Sequence, residues 1–327
     1  MPEYTALREG AGIGTIAARA QIAVAGRDRA SFLQGLLTND IPALTPGTGC
    51  YSAWLSPQGR MITDLHVLES GDMVLLDVPA DLGETILQKL DHFLFSEDVQ
   101  LAALSHALRG IWIHGPAAPH TLSDVLVEAP DLAAWSDYQH ARLSFEGEPV
   151  VVARIDQLGV PGYCAYISPD RAGSLDGALR SRGALAVGAE VLEAARIEAG
   201  YPVFGIDMTD DTLPLEAGIE GRAISFSKGC YVGQEIVIRV LHRGGGRVAR
   251  RLVAFRIGGA VPTPGTRLVA GARDVGFITS AAASPALGTI ALGYVHRDFT
   301  APGTELVIPG DANASATVSA RPMLSAA

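Results

Sequence analysis

Hydrophobic and polar positions alternate along the chain in a way that predicts a mixed α+β unit near the N-terminus. A short strand at Gln21–Gly26 leads into a helix at Arg27–Thr38, with Asp28 as the expected N-cap. Turn signals then separate further elements, which are strands at Cys50–Leu55, Met61–Glu69 and Met73–Val78 and a helix at Asp81–Leu94. This order predicts an antiparallel meander.

The same pattern recurs in the next hundred residues, without obvious sequence identity. It comprises a strand at Gly110–His114, a helix at Ala117–Leu126, strands at Ala141–Phe145, Val150–Ile155 and Gly162–Ile167, and a helix at Arg171–Arg182. We therefore expect an α+β fold with two related subdomains built on antiparallel sheets.

The last part of the chain predicts a separate β domain. A helix at Val187–Gly200 and a polar, acidic loop at Asp207–Glu220 precede a break that contains three successive glycines. Six short strands follow, at Arg251–Ile257, Thr266–Val269, Val275–Ala281, Ile290–Val295, Glu305–Ile308 and Ala314–Val318. Their regular spacing predicts a six-stranded β-barrel. The expected domains are residues 1–243 and residues 247–327.

Composition narrows the class of protein. The net charge of −10 argues against non-specific binding to nucleic acid or an anionic membrane. No apolar run reaches membrane-spanning length, and no secretory signal is visible. Three widely spaced cysteines argue against a disulfide framework and a zinc site, and the histidines form no metal motif. We expect a cytoplasmic monomer without a bound metal.

The segment Lys228–Glu235 (KGCYVGQE) carries the densest chemistry. Only two of the 25 cationic residues are lysine, Lys89 and Lys228, so a titratable amine beside Cys230 looks selected. If a helix starts there, its amides and Lys228 would favour a thiolate. The alternative is a small buried cysteine, which we also expect for Cys50 and Cys164.

Two carboxylates are further candidates. Glu198 falls in the last turn of a helix, where the helix dipole opposes it; it is either a solvated surface residue or needs Arg196 or a ligand with paired donors. Asp64 shares a strand face with Ile62 and His66, and is either exposed or a general acid/base in a cleft.

An arginine-rich segment, Ile236–Arg273, contains no acidic residue. Its arginines either receive an anionic tail, RNA or an acidic partner, or pair internally with the acidic loop. They are Arg239, Arg243, Arg247, Arg250, Arg251, Arg256, Arg267 and Arg273. A glycine-rich run at Gly10–Gly14 lacks a preceding strand and the GxGxxG spacing, so we discount a dinucleotide site.

The KGCYVGQE segment resembles the K-G-C-Y-x-G-Q-E signature of the YgfZ family, a folate-binding branch of the glycine-cleavage T-protein superfamily that supports iron–sulfur proteins. Other segments resemble the family in the same order: Gly26-Arg27-Asp28 with Phe32-Leu33-Gln34, Leu37-Thr38-Asn39-Asp40, Gly59-Arg60 with Asp64, and Arg196-Ile197-Glu198-Ala199-Gly200. The resemblance covers nearly the whole chain. It implies a cloverleaf body with a central folate channel and a C-terminal β-barrel.

The resemblance also implies roles. Glu198 matches the pterin-binding glutamate of the superfamily, and Tyr231, Gln234 and Arg239 would contact tetrahydrofolate or its glutamate tail. Cys230, activated by Lys228, would be the chemical residue of a protein that assists assembly or repair of iron–sulfur clusters in client enzymes, with effects on tRNA modification. Any cluster would have to be shared with a partner, because one cysteine cannot hold it.

Two alternatives stay open. In the first, the protein is a folate-dependent aminomethyltransferase with Asp64 as acid/base; against it, Thr63 replaces the first of two adjacent acidic residues found in T-proteins. In the second, it is a folate-free adaptor whose basic segment binds RNA or an acidic protein.

Overall fold

The computed structural model describes residues 2–242, 246–310 and 314–324. Arg243 and most of the predicted domain boundary lie outside these ranges. The helices are α1 (Pro2–Glu9), α2 (Arg29–Leu36), α3 (Gly83–His92), α4 (Ala118–Ser123), α5 (Pro169–Ser181), α6 (Ala189–Ala199), α7 (Pro214–Ala217), α8 (Glu220–Ala223) and α9 (Gln234–His242).

The strands form two open sheets and a barrel. They are β1 (Gly12–Ile13), β2 (Arg19–Ala25), β3 (Thr48–Leu55), β4 (Met61–Glu69), β5 (Met73–Pro79), β6 (Gln100–Ala103), β7 (Arg109–His114), β8 (His140–Phe145), β9 (Glu148–Arg154), β10 (Gly162–Ile167), β11 (Leu185–Ala186), β12 (Arg250–Gly258), β13 (Arg267–Ala270), β14 (Arg273–Ser284), β15 (Gly288–His296), β16 (Glu305–Val307) and β17 (Ser315–Ser319).

Sheet I has the order β3-β4-β5-β2-β6, and sheet II has the order β11-β1-β7-β10-β9-β8. All pairs are antiparallel except β1 with β11. The outer face of sheet I packs on α2 and α3, and the outer face of sheet II packs on α4 and α5. Their inner faces share one core, so both sheets contribute side chains to the same interior.

The six predicted C-terminal strands are confirmed as a closed barrel in the order β12-β15-β14-β13-β16-β17. Apolar residues such as Phe255 and Leu268 fill its interior. The outer face of β14 and β15 packs on α6, and Ile197, Leu292 and Tyr294 belong to one buried cluster there. The predicted α+β class with antiparallel sheets and a six-stranded barrel is therefore correct.

Some elements differ from expectation. The elements α1, β1, β6 and β11 were not predicted, and the predicted loop at Asp207–Glu220 contains α7. The predicted end of the helix before Pro202 is confirmed, because Gly200 caps α6 with φ of 67°. A Cβ at this position would also lie 2.0 Å from Arg321 Cγ, so glycine is required there twice over.

Candidate functional site

Asp64 lies at the centre of a buried polar network on the inner face of sheet I. Only 2% of the residue is exposed, so the exposed-face alternative is wrong. Tyr51 Oη donates to Asp64 Oδ2 at 2.9 Å, and Arg19 Nη1 lies 3.2 Å from Asp64 Oδ1. Arg19 also pairs with Asp77, Nε to Oδ2 at 3.3 Å. One guanidinium therefore serves two buried carboxylates.

His66 extends this network from the same face of β4. Its Nδ1 lies 3.0 Å from Asp77 Oδ2, and Gln21 Nε2 donates to Asp77 Oδ1 at 2.9 Å. Burial alone would raise the pKa of Asp77, but Arg19 and then His66 oppose it and lower that pKa below its ordinary value. Burial lowers the pKa of His66, and Arg19 lowers it further. His66 is therefore neutral near pH 7.

The strand alternation behind the Asp64 prediction is broken once. The register of β3 and β4 shifts between Trp54 and Leu55, which pair with Thr63 and Met61 and leave Ile62 unpaired. Ile62 consequently packs with the core beneath the helices. The prediction that it shares the face of Asp64 and His66 is therefore wrong.

A cavity of about 580 Å³ adjoins this network. It is lined by Thr15, Ile16, Ala17, Ala18, Arg19, Gln21, Ser105, Leu108, Arg109, Gly110, Trp112 and Pro169. A void of about 20 Å³ shares Arg19 and Trp112 with it and reaches Asp64, Gln157 and Tyr201. The larger volume is within the roughly 300–1,000 Å³ typical of small-molecule pockets. The site thus combines a carboxylate, cations and aromatic surfaces.

Aromatic rings surround the inner end of the site. Arg222 lies over Tyr51 and Tyr201, 4.8 Å and 4.4 Å from their ring centroids. Tyr138 is buried, and its Oη has no hydrogen-bond partner among the described residues. Such an unpaired buried hydroxyl is typical of a place where water or a ligand completes the hydrogen bonding.

Glu198 is fully buried, which excludes the surface alternative. Its carboxylate accepts hydrogen bonds from α1 and from β14. Tyr4 Oη donates to both oxygens at 3.0 Å and 2.9 Å, and Arg8 Nη2 and Ser284 Oγ each donate to one. The expected compensating partner, Arg196, instead pairs with Asp207 and Glu193. This geometry gives Glu198 a structural position between α1, α6 and β14.

Lys228 also has a structural position. Its Nζ donates to three backbone carbonyls at the end of α2, those of Gln34, Leu37 and Asn39, at 2.8, 2.6 and 2.8 Å. An ammonium has three donors, so none remains for Cys230. The helix expected at Cys230 begins at Gln234, four residues later. Both observations argue against the expected activation of Cys230 by Lys228.

Replacing Lys228 by methionine is expected to lower the free energy of unfolding by about 2–3 kcal/mol, because three buried or partly buried carbonyls lose a charged donor. Lys89→Met, at an exposed lysine of α3, is the matched control and should change stability by less than about 0.5 kcal/mol. Urea unfolding of both variants measures the difference. Equal stability of the two would contradict the structural role.

Cys230 is exposed in the loop before α9, whereas Cys164 is buried as expected and Cys50 is only partly buried. Burial raises the pKa of the Cys50 thiol to about 12. Tyr231 is buried in the shared core, with its ring centroid 5.1 Å from Lys228 Nζ. Gln234 is half-buried at the start of α9, and Arg239 is exposed and paired with Glu235. The cavity and the void beside Asp64 are lined by none of the predicted site residues Cys230, Tyr231, Gln234 and Arg239.

The arginine-rich segment pairs mostly with nearby groups. Arg250 contacts the acidic loop, with Nε 3.2 Å from Glu216 Oε2. Arg267 pairs with Asp274, and Arg251 and Arg256 donate to backbone carbonyls. Internal pairing therefore accounts for most of the described arginines, although only Arg250 uses the predicted loop.

A second buried histidine predicts acid sensitivity. His114 is fully buried, and burial lowers the pKa of His114 from 6.5 to about 4. The unfolded chain therefore binds a proton that the folded protein does not, and stability should fall as the pH drops from 6.5 to 4. The expected loss of stability is about 3 kcal/mol, because each pKa unit between 6.5 and about 4 corresponds to about 1.4 kcal/mol.

His114→Gln, which keeps a donor for Gly14 O, should flatten this acid limb of the unfolding free energy. His106→Gln, at an exposed histidine, should leave it unchanged. Guanidinium unfolding between pH 4 and pH 7 measures both; an unchanged slope for His114→Gln would show that another group causes the dependence.

Two kinds of site are absent from the described part of the chain. Within residues 2–242, 246–310 and 314–324, no group of three or more histidine, cysteine or acidic side chains could hold a metal ion. In the same ranges, no helix is both long and apolar enough to span a bilayer.

Two protein-family models match most of the chain. The family model described as the GCVT N-terminal domain matches residues 1–228, and the model described as the glycine cleavage T-protein C-terminal barrel domain matches residues 250–324. The aminomethyltransferase of Streptomyces coelicolor is 30% identical over 312 residues, covering 93% of this chain and 83% of that protein. The aminomethyltransferase of Rubrobacter xylanophilus is 29% identical over 308 residues, covering 94% and 81%.

A solved structure agrees at the level of the fold. Glycine cleavage system aminomethyltransferase T from Bartonella henselae superimposes with a TM-score of 0.88 at 23% identity, covering 99% of this chain and 89% of that one. Tetrahydrofolate, the expected cofactor, is the one-carbon acceptor of aminomethyltransferases in this family. The finer YgfZ assignment is not confirmed by these matches and stays a prediction. The chain belongs to the glycine-cleavage T-protein family.

Proposed function

We propose that this protein binds tetrahydrofolate and transfers an aminomethyl-type one-carbon group to it, with Asp64 as acid/base. This is the alternative interpretation of the sequence, and it is better supported than the iron–sulfur role, because the relatives named above are aminomethyltransferases. The observation that carries the proposal is the position of Asp64, whose carboxylate lines the void next to the cavity beside β2 and β7.

The residues of the cavity suit a folate. Trp112 offers an aromatic face for a pterin-like ring. Arg109, at the exposed rim, forms no ion pair with any described residue and could accept the carboxylates of the glutamate tail. When bound, tetrahydrofolate would supply the nitrogen that accepts the one-carbon group. The roles expected for Glu198, Tyr231, Gln234 and Arg239 remain predictions, and the contacts of Glu198 argue for a structural role instead.

Asp64 can carry the proton that such a transfer moves. Tyr51 and Arg19 fix its position from two strands, so the carboxylate is oriented before a substrate arrives. Burial excludes bulk water from it, which strengthens its electrostatic effect on a nearby nitrogen. A positioned acid/base of this kind contributes about 10²–10⁴-fold to a rate.

The substitution at Thr63 does not weaken this proposal. Thr63 is fully buried, and its side chain alternates with that of Asp64 on β4, on the face of Leu65 and Val67 that packs under the helices. An acidic group at position 63 would therefore point away from Asp64. Its absence removes no chemical group from the cavity.

A second candidate, the iron–sulfur role, rests on one observation, the exposed thiol of Cys230. Client proteins, effects on tRNA modification, a cytoplasmic location and a monomeric state remain predictions. A cluster would require ligands from a partner, since no described group of this chain could hold a metal.

One experiment separates the two functions. Calorimetry with tetrahydrofolate should show binding, and tetrahydrofolate-dependent ammonia release from an aminomethyl donor should persist in Cys230→Ser and be lost in Asp64→Asn. Loss in Cys230→Ser with retention in Asp64→Asn would overturn the transferase proposal in favour of thiol chemistry. Absence of any binding heat would leave the folate-free adaptor.

A further inference from the structure

His66 is a buried titratable group that has no role in the proposed reaction as described so far. It is fully buried on β4, two residues from Asp64 and on the same face. Because a carboxylate only accepts, the short contact with Asp77 places the hydrogen on Nδ1 of neutral His66. Nε2 is then an acceptor, and it has no hydrogen-bond partner among the described residues. A buried unpaired acceptor of this kind calls for a functional explanation.

Aromatic rings form the surroundings of this imidazole. Their centroids lie 5.9 Å (Tyr51), 6.3 Å (Trp112) and 5.7 Å (Tyr138) from that of His66. Tyr138 Oη is likewise unpaired. His66 therefore packs against Tyr51, which donates a hydrogen bond to Asp64, and against Trp112, which lines the cavity.

Arg19 links the histidine to the acid/base group. The guanidinium contacts Asp64 through Nη1 and Asp77 through Nε, and its Nη2 donates to the Asp77 carbonyl. The oxygen of Asp77 that Arg19 contacts, Oδ2, is the one that His66 contacts as well. The N–H of His66 therefore shares with Arg19 the task of balancing the charge of Asp77. The more of that charge His66 balances, the more strongly the Arg19 guanidinium can interact with Asp64.

We propose that His66 is a positioning residue for the reaction at Asp64: held by Asp77, it sets how Arg19 is shared between the two buried carboxylates. This inference rests on the proposed function, which assigns the acid/base role to Asp64. In this arrangement, Arg19 of β2, His66 of β4 and Asp77 of β5 together set the electrostatic environment of the Asp64 carboxylate. Lowering of the pKa of His66 by burial supports it, since a neutral imidazole supplies one donor without a second cation.

The charged and titratable groups in and around the network of Asp64, His66, Asp77 and Arg19 come from several elements. They are Arg19 from β2, Tyr51 from β3, Asp77 from β5, Tyr138 before β8, Cys164 and Tyr166 from β10, Tyr201 after α6 and Arg222 from α8. Arg19 is the cation that contacts both carboxylates directly. Removing the N–H donor of His66 should therefore weaken the interaction between Arg19 and Asp64.

The test compares His66→Leu, which removes the donor, with His66→Gln, which restores an N–H but no titratable ring. Leu68→Ala, a fully buried change in the shared core on the same strand, controls for loss of stability. The acid limb of the pH profile for tetrahydrofolate-dependent ammonia release should move up by about one pH unit in His66→Leu, as expected when an opposite charge is partly withdrawn, and return in His66→Gln. Leu68→Ala should not move it.

A second readout needs no activity. In folate-free protein with ¹³C-labelled aspartate, the Asp64 resonance, identified by its loss in Asp64→Asn, should titrate at higher pH in His66→Leu than in the wild type or His66→Gln. If His66→Leu lowers the rate equally at every pH and leaves this titration where Leu68→Ala leaves it, His66 is merely structural and the inference is overturned. If no variant transfers an aminomethyl group, the proposed function fails, and the titration alone still decides whether His66 acts on Asp64.

Discussion

Replacing Asp64 by asparagine is expected to lower the rate of aminomethyl transfer to tetrahydrofolate by about 10²–10⁴-fold. Asparagine keeps the shape of the side chain and can still accept a hydrogen bond from Tyr51, but it cannot carry the proton. Tetrahydrofolate should still bind, because the aromatic and cationic walls of the cavity are unchanged. Single-turnover kinetics and calorimetry on the same samples separate the chemical step from binding.

The control for this variant is Asp211→Asn, which alters an exposed carboxylate paired with Arg60 outside the network. It should retain the wild-type rate within about twofold, since exposed ion pairs contribute little. Asp64→Asn also weakens the contact with Arg19, so thermal unfolding must accompany the kinetics. A folded Asp64→Asn protein with an undiminished rate would refute the acid/base role.

Arg196→Leu is expected to lower the free energy of unfolding by about 3–5 kcal/mol, the typical cost of leaving a buried charge without its partner. The Arg196 guanidinium is fully buried and donates to Asp207 Oδ2 and the Tyr201 carbonyl, both at 2.6 Å. Asp207 in turn accepts from Thr279 and Ser280 of β14. This arginine therefore joins α6 to the barrel, and its loss leaves the buried charge of Asp207 without its cationic partner.

Arg180→Leu is the matched control, because Arg180 also pairs with a carboxylate one helical turn away, but in solvent. It should cost less than about 1 kcal/mol. Urea unfolding followed by circular dichroism measures both variants. The double variant Arg196→Leu with Asp207→Leu should be less destabilised than the single arginine variant, since no buried charge is then left alone. An Arg196→Leu protein as stable as Arg180→Leu would show that the buried pair is not important.

Local patterns were sufficient for much of the fold. Alternation and turn residues identified all six barrel strands and the meanders of both sheets, because their side chains face a core on one side. They failed for β1 and β11, which are two residues long and too short to show a period. They also failed for Ile62, where a one-residue bulge reverses the face of the strand.

The site was predicted less well, because its contacts join distant parts of the chain. Asp64 was identified from its polar position within an apolar strand, and His66 was noted on the same face. The partners Arg19, Tyr51 and Asp77 come from three other strands, and no local spacing links them to Asp64. For Glu198 the sequence left open a surface position or compensation by Arg196 or a ligand; its partner Arg8 lies 190 positions away and is joined to it only by the fold.

The enclosure of Glu198 has a consequence for the order in which the protein folds during synthesis. The partner of Tyr4 and Arg8 is made about ten to forty seconds after them at typical translation rates of roughly 5–20 residues per second. Until then, α1 has no carboxylate to bind, and it is too short to be stable alone. Ser284 and the Met323 amide, which donates to the Glu198 carbonyl at 2.8 Å, follow later still. The first helix therefore docks late, and the enclosure around Glu198 closes only after Met323 has been made.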